Sequence, residues 1–293
     1  MTGRRVLLGL IGANIQKSLS PVLHESACAA AGMHGCYHLM DLDHLPGRRL
    51  EDLFDAVRNA GFQGVNITFP CKEAILPLLH EVSDDAREIG AVNTVTIGAD
   101  GRTVGYNTDR VGFRRSFEET LGRAAIAGKT AALIGAGGGG RAVAYALMDL
   151  DAGCVLVHDR EASRAELLVA QLAAHFGHGR SGFTDASPAA PAEADGVINA
   201  TPIGMQGFPG SPISPDALRA AHWVADIIYS PLETELIKAA RLAGAKVLTG
   251  GGMCVHQAAE AFRLFTGVAA SAAHIHDVFA RALAKRDGTI TPS

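Results

Sequence analysis

Thr130-Ala-Ala-Leu-Ile134-Gly135-Ala136-Gly137-Gly138-Gly139-Gly140 is the stretch whose reading decides the fold. Residues 130–134 form a short, unbroken apolar run of the kind found in buried strands. The glycines that follow fit Gly-x-Gly-x-x-Gly at Gly135, Gly137 and Gly140, and residues 141–150 continue as a helix. A second strand, 154–158, then ends at Asp159, about 20 residues past the last glycine. In such a unit glycine permits the tight turn and lets backbone approach a pyrophosphate, while the helix N-terminus offers free N–H groups and partial positive charge. Gly135, Ala136, Gly137, Gly138 and Gly139 are therefore the expected phosphate-binding residues. A carboxylate at Asp159 accepts from the adenosine ribose hydroxyls and repels a further phosphate, which favours NAD over NADP. Arg160 and Arg164 stand close enough in sequence to offset part of that repulsion.

Working outward, strand and helix alternate downstream: helix 161–174, strands 180–184, 196–199 and 223–228, helix 233–242, strand 245–248. This rhythm predicts a doubly wound parallel sheet, punctuated by the Pro-rich segment 187–191 and the loop 201–215. Upstream, the pattern predicts strand 6–12, a helix 20–31 with Ser20 as N-cap and Pro21 at its first position, strand 36–42, helix 50–60 and strand 64–69. Helices 72–79 and 84–89 follow, the latter capped by Ser83. Strands 92–97 and 103–106 then flank a turn at 98–101. This first third reads as α/β with mixed strand direction. The last two helices, 255–265 and 271–284, have no place in the completed parallel sheet and are assigned back to the first domain. The expected fold class is α/β with two domains: an N-terminal substrate domain with a mixed sheet, residues 1–108 plus 253–293, and a Rossmann-type domain, residues 109–252.

The chain has 293 residues, 48% of them hydrophobic, enough for two medium cores. Its formal net charge of -4 gives no support for a nucleic-acid or anionic-membrane partner, both of which attract basic surfaces. Five scattered cysteines without a C-x-x-C pair read as free thiols, which points to a reducing cytoplasm. Arg4 and Arg5 before the apolar run 6–11 imitate a secretory leader, but the run is short and no small-x-small site follows, so a first strand is expected instead. No stretch approaches the ~20 apolar residues of a membrane span. His274-x-His276 on a helix point to different faces, so no metal is expected.

Several polar clusters sit at expected strand ends, where α/β sheets put ligands. They are Ser18-Leu-Ser20-Pro21, Asn66-Ile-Thr68-Phe-Pro70-Cys-Lys72, Ala91-Val-Asn93-Thr94 and Gly105-Tyr-Asn107-Thr108-Asp109. Singly, each serves equally well as a cap or turn. Together, and over nearly the whole chain, the set resembles the shikimate dehydrogenase family. Asn199-Ala-Thr201-Pro-Ile-Gly204-Met205, Asp226-Ile-Ile-Tyr229-Ser-Pro231 and Met253-x-x-x-Gln257-Ala-Ala are similar too. One departure stands out: NADP-type members carry Asn-Arg-Thr where this chain has Asp159-Arg160-Glu161. There, and at residues 251–257, the chain resembles the NAD-linked quinate/shikimate dehydrogenases.

The resemblance implies that Ser18 and Ser20 donate hydroxyl hydrogen bonds to a substrate carboxylate and that Thr68, Asn93 and Gln257 bind ring hydroxyls. It implies that a buried Lys72 and Asp109 flank the hydroxyl being oxidised, that Tyr229 closes the pocket, and that Thr201, Met205, Ile227 and Met253 surround the nicotinamide. Alcohol oxidation needs a proton acceptor as the hydride leaves, and an ammonium beside a carboxylate can share that proton. The implied reaction is reversible, NAD-linked oxidation of quinate to 3-dehydroquinate or of shikimate to 3-dehydroshikimate, in either the catabolic or the biosynthetic direction. An NADP-linked biosynthetic enzyme, a relative acting on an amino-substituted ring acid, and a non-catalytic sensor are the alternatives. The presence of Lys72, Asp109 and the glycine loop weighs against the sensor. The expected partner is a small-molecule hydroxy acid, with a homodimer left open.

Overall fold

The computed structural model describes residues 3–184 and 193–286, so the Pro-rich segment 187–191 lies outside the described residues. The chain divides into two compact units, Met1–Thr108 with Val255–Ser293, and Asp109–Cys254. In chain order the first unit holds β1 (Arg5–Gly12), α1 (Ser20–Ala30), β2 (His34–Asp41), α2 (Leu50–Asn59), β3 (Gly64–Ile67), β4 (Glu81–Val82), α3 (Asp84–Ile89), β5 (Thr94–Ile97) and β6 (Thr103–Tyr106). α4 (Thr108–Thr120), β7 (Thr130–Ile134), α5 (Gly138–Asp149), β8 (Cys154–His158), α6 (Ala162–Phe176), β9 (Ser181–Phe183), β10 (Gly196–Asn199), β11 (Trp223–Asp226), α7 (Glu235–Leu242) and β12 (Lys246–Leu248) follow. α8 (Gly250–Thr266) and α9 (Ala272–Arg286) complete the chain.

The first unit is built on a six-stranded mixed sheet in the order β2-β1-β3-β5-β6-β4. β1 lies inside it, parallel to both neighbours, which is why its sequence is apolar on both faces. α2 places Leu50, Leu53, Phe54 and Val57 at helical spacing on Ile11, Met40, Val65 and Ile67. On the opposite face α1 contributes Ala27 and Cys28, and α8 contributes Ala261, Phe262 and Phe265, against Val6, Leu8 and Leu10. Gly64 is required there, since an added Cβ would lie 2.3 Å from the Phe265 ring. The final helices thus belong to the core of this unit, and α9 reaches α1 through a 2.9 Å contact between His274 Nε2 and Ser26 Oγ.

The second unit carries a six-stranded sheet in the order β12-β11-β10-β7-β8-β9, with every pairing parallel. Read from β9, this is the doubly wound order whose direction of winding reverses between β7 and β10. α7 seats Leu236 and Ala240 on Ile134, Val197 and Val224. On α4, Phe117 meets the Trp223 ring edge-on at 4.9 Å, and Trp223 covers Gly196 so closely that a Cβ there would lie 1.9 Å from the indole.

Four local expectations need correction. Ser20 is not the N-cap of α1: Leu19 holds that place without a side-chain cap, and Ser18 Oγ accepts the Ser20 N–H at 3.2 Å. Residues 72–79 are mostly turns and a short 3₁₀ segment, Leu76–Leu78; Pro77 lies in that segment and has no N–H to donate to a preceding α-helical turn. α5 and α8 start within their glycine runs, at Gly138 and Gly250, earlier than periodicity indicates. β4, parallel to β6, has no counterpart among the expected strands. Ser83 does cap α3, accepting Ala86 N–H at 3.3 Å.

Candidate active site

In the first unit, β1, β3 and β6 run one way and β5 runs the other, so the C-terminal ends of the three and the N-terminal end of β5 share one sheet edge. That edge gathers Ser18 and Ser20 after β1, Thr68 and Lys72 after β3, and Asn93 before β5. Ser18 Oγ donates to Ser20 Oγ at 3.1 Å, so the two hydroxyls form one cluster. Asp41, buried at the end of β2, accepts Ile15 N–H (3.1 Å), Gln16 Nε2 (3.0 Å) and Asp43 N–H (3.1 Å), which anchors the loop that carries those serines. These hydrogen bonds hold its carboxyl below the usual range although burial alone would raise it. Lys72 is half-buried rather than buried, and its carbonyl accepts Val92 N–H at 2.8 Å, tying the turn to the residues before β5. Gln257 lies one helical turn before Ala261, on the side of α8 that packs on this sheet.

Asn93 is 3% exposed and its orientation is set by a chain of buried polar groups that sequence reasoning missed. Tyr37 Oη donates to Asn66 Oδ1 at 2.8 Å, and Asn66 Nδ2 donates to Thr94 Oγ1 at 3.0 Å. Asn93 Oδ1 accepts from Thr94 Oγ1 (3.0 Å) and Thr108 N–H (2.8 Å), while its Nδ2 donates to Thr108 Oγ1 (2.9 Å). His24 stacks on Tyr37 with ring centroids 4.9 Å apart, and burial lowers its imidazole to about 3, so it is neutral packing. Burial pushes the thiol of Cys71, next to Lys72 in the chain, up to about 11, away from nucleophilic chemistry.

In the second unit, parallel pairing puts the glycine loop after β7, Asp159, Arg160 and Arg164 after β8, Thr201 and Met205 after β10, and Ile227 and Tyr229 after β11, all at one edge. Asp109, 5% exposed, is the first residue of this unit, and Met253, 8% exposed, stands in the first turn of α8. Gly135 has φ +103°, and a Cβ on Gly140 would fall 1.9 Å from Gly135 O, so the loop closes only with glycine at both places. Around Gly137 there is open space, and no side chain caps the first turn of α5. A cradle of this kind fits a pyrophosphate. Asp159 is not the cap of α6, a place held by Glu161; its Oδ2 accepts Ala136 N–H at 2.7 Å and its Oδ1 accepts Glu161 N–H at 2.9 Å. Each oxygen keeps a lone pair for a ribose hydroxyl. Arg164 is engaged by Glu161 at 2.9 Å.

Asp226 closes β11 and went unassigned in the sequence reading. It is 2% exposed, and burial pushes its carboxyl up to about 6 despite hydrogen bonds from Ile228, Thr234 and Asn199 that favour the ionised form. β7, β10 and β11 hold no other ionisable side chain, and Glu235, Lys238 and Arg241 of α7 are exposed. The native carboxyl holds its proton more tightly than the unfolded one. The stability it adds is therefore complete below about pH 4 and lost as the pH rises through about 6. Asp226→Asn removes this titration, so its stability relative to the parent rises by on the order of 3 kcal/mol between about pH 4 and about pH 8. Urea unfolding at each pH reads the difference, and a flat difference would show an ordinary carboxyl.

Two segments of the chain match models of one family. Residues 10–95 match the shikimate dehydrogenase substrate binding domain, and residues 250–278 match the shikimate 5'-dehydrogenase C-terminal domain. A quinate/shikimate dehydrogenase (NAD(+)) of Corynebacterium efficiens is 46% identical over 267 residues, 90% of this chain and 93% of that protein. The chain belongs to the shikimate dehydrogenase family. Both cofactor types occur among its relatives: a shikimate dehydrogenase (NADP(+)) of Streptomyces avermitilis is 45% identical over 91% of this chain and 92% of its own. The solved quinate dehydrogenase from Corynebacterium glutamicum in complex with NAD superposes with a TM-score of 0.87 at 42% identity, covering 95% of this chain and all of that one. As a member of the shikimate dehydrogenase family the chain is an oxidoreductase with a Rossmann-type unit. Among the described residues no helix is long and apolar enough to cross a membrane.

Proposed function

We propose that this chain is an NAD-dependent dehydrogenase that reversibly oxidises the ring hydroxyl of quinate or shikimate to the corresponding 3-dehydro acid. The observation that carries the cofactor choice is the Asp159 carboxylate at the end of β8, held by Ala136 N–H at 2.7 Å, with Arg164 engaged by Glu161. A 2'-phosphate would meet that carboxylate, and Arg164, one of the two arginines nearby in sequence, is already paired with Glu161. The bound nicotinamide supplies the hydride acceptor. The residues of the chain do the rest. Ser18 and Ser20 orient the acid by its carboxylate. Asn93, whose carbonyl oxygen is already taken by Thr108, has an N–H left to donate to a ring hydroxyl. Lys72 and Asp109 handle the proton: as the C–H electron pair leaves the carbinol as hydride and the C=O bond forms, the O–H proton passes to this couple. In the reverse direction the couple returns it, and the ammonium stabilises negative charge developing on oxygen.

Steady-state kinetics with both acids and both dinucleotides test the proposal. kcat/KM with NAD is expected to exceed that with NADP by at least about tenfold, a difference of about 1.4 kcal/mol. Asp159→Ser should narrow the ratio mainly by lowering KM for NADP. A strong NADP preference in the unmodified chain would refute the role given to Asp159.

A further inference from the structure

We propose that Asp226 is a positioning residue for the nicotinamide half of the cofactor site, acting through Asn199 on the loop that carries Thr201 and Met205. The inference rests on the dinucleotide reading above and adds a residue that makes no contact with the ligand.

Asp226 Oδ1 accepts Asn199 Nδ2 at 3.2 Å and Ile228 N–H at 3.0 Å, and its Oδ2 accepts Thr234 Oγ1 at 2.7 Å. The other face of the Asn199 amide is committed as well. Its Oδ1 accepts Thr201 N–H at 2.9 Å and Thr201 Oγ1 at 2.7 Å, and its Nδ2 also donates to Ile203 O at 2.9 Å. Thr201 Oγ1 in turn accepts Ile203 N–H at 3.1 Å. A buried amide can sit in either of two flipped orientations, and the fixed donors and acceptors around it choose between them. Asp226 is the buried side-chain acceptor among them, and it acts together with Ile203 O and the Thr201 N–H. If Asn199 flipped, its carbonyl oxygen would face the carboxylate and its NH₂ would face Thr201 N–H, leaving buried donors and acceptors mismatched. The chosen orientation consumes the Thr201 hydroxyl hydrogen, so Thr201 presents a lone pair outward and the turn at 201–203 is fixed. The same carboxylate fixes the backbone after β11 through Ile228, beside Ile227, whose Cδ1 would stand 3.0 Å from a Cβ on Gly139. One buried acceptor therefore braces the segments on both sides of the expected nicotinamide position. The glycine loop and Asp159, which serve the adenosine half, have their own hydrogen bonds and do not depend on it.

The test compares binding of NAD with binding of ADP-ribose, which lacks the nicotinamide ring, by titration calorimetry on the full chain. Asp226→Ala should weaken NAD at least tenfold while ADP-ribose stays within twofold. Asp226→Asn keeps an acceptor toward Asn199 and should bring NAD back to within threefold of the parent. Thr234 also caps α7, accepting Ile237 N–H at 3.2 Å, so Thr234→Val should lower Tm without changing the ratio of the two affinities. Should Asp226→Ala fail to fold, Asn199→Ala breaks the same path one step later and should give the same selective loss. Equal weakening of both ligands, or of neither, overturns the positioning role. A parent chain that binds neither ligand overturns the dinucleotide reading, and this inference with it.

Discussion

Lys72→Ala is expected to lower kcat by about a thousandfold, within the range that positioned general acid–base groups contribute. The substitution tests chemistry rather than folding because of how the residue is held. Lys72 is half-buried, its backbone is pinned by the bond from Val92 N–H, and the hydrophobic anchor of the turn is the neighbouring Cys71, 3% exposed. Removing the amine leaves that anchor intact, so Tm should stay nearly unchanged. The acid should still bind, since Ser18, Ser20 and their support from Asp41 lie on other segments of the sheet edge. Lys72→Arg separates the two duties of the amine. A guanidinium keeps the charge but does not release a proton at working pH. A slow arginine variant points to proton transfer, and a fast one to charge stabilisation alone. Wild-type turnover in Lys72→Ala would remove the residue from the mechanism.

Gly140→Ala is expected to cost at least a hundredfold in dinucleotide affinity and to lower Tm by several degrees. The new Cβ would stand 1.9 Å from Gly135 O and 2.8 Å from Gly135 C, backbone atoms that no rotamer change can move. α5 cannot retreat, because Gly140 through Met148 are all buried. The loop must open instead, and its N–H groups lose their common focus. Overpacking of this kind costs about 1–3 kcal/mol, which lowers Tm by about 2–4 °C per kcal/mol in a chain of this size. Gly137→Ala is the control. No atom lies within 4 Å of its Cβ and its φ is -73°, so Tm should hold while affinity falls from encroachment on the phosphate position. If Gly140→Ala binds NAD normally, the loop is not the phosphate cradle.

Most of the element order could be read from the chain, because each signal was local. The run 130–134 with its glycines, the Ser83 cap and the apolar spacing of α2 all act within a turn or two. The misreadings have local causes too: Pro77 stops a helix that apolar spacing suggested, and Ser18 rather than Ser20 caps the turn before α1. The first turns of α5 and α8 were hidden for a different reason. Glycine has poor helix propensity, and only close packing, such as Gly250 against the carbonyls of Ile227 and Ile228, explains its presence there. Tyr37 stood in no motif, and Asn66 and Asp226 stood in quoted motifs without a role, since a buried polar residue's role is set by its partners and those lie 27 to 29 residues away.

What the sequence determined unaided was chemistry and periodicity: which side chains can donate, accept or carry charge, and which strand ends they follow. The tertiary structure alone decided which of those groups share a sheet edge and how each amide faces, since both depend on strand direction and on hydrogen bonds between distant segments. Burial belongs to the same class. Asp226 and Asp41 are the same residue type at the ends of two strands, yet one is pushed up to about 6 and the other held low. The difference lies in how far desolvation outweighs the donors around each carboxylate, and no pattern of neighbours along the chain encodes that.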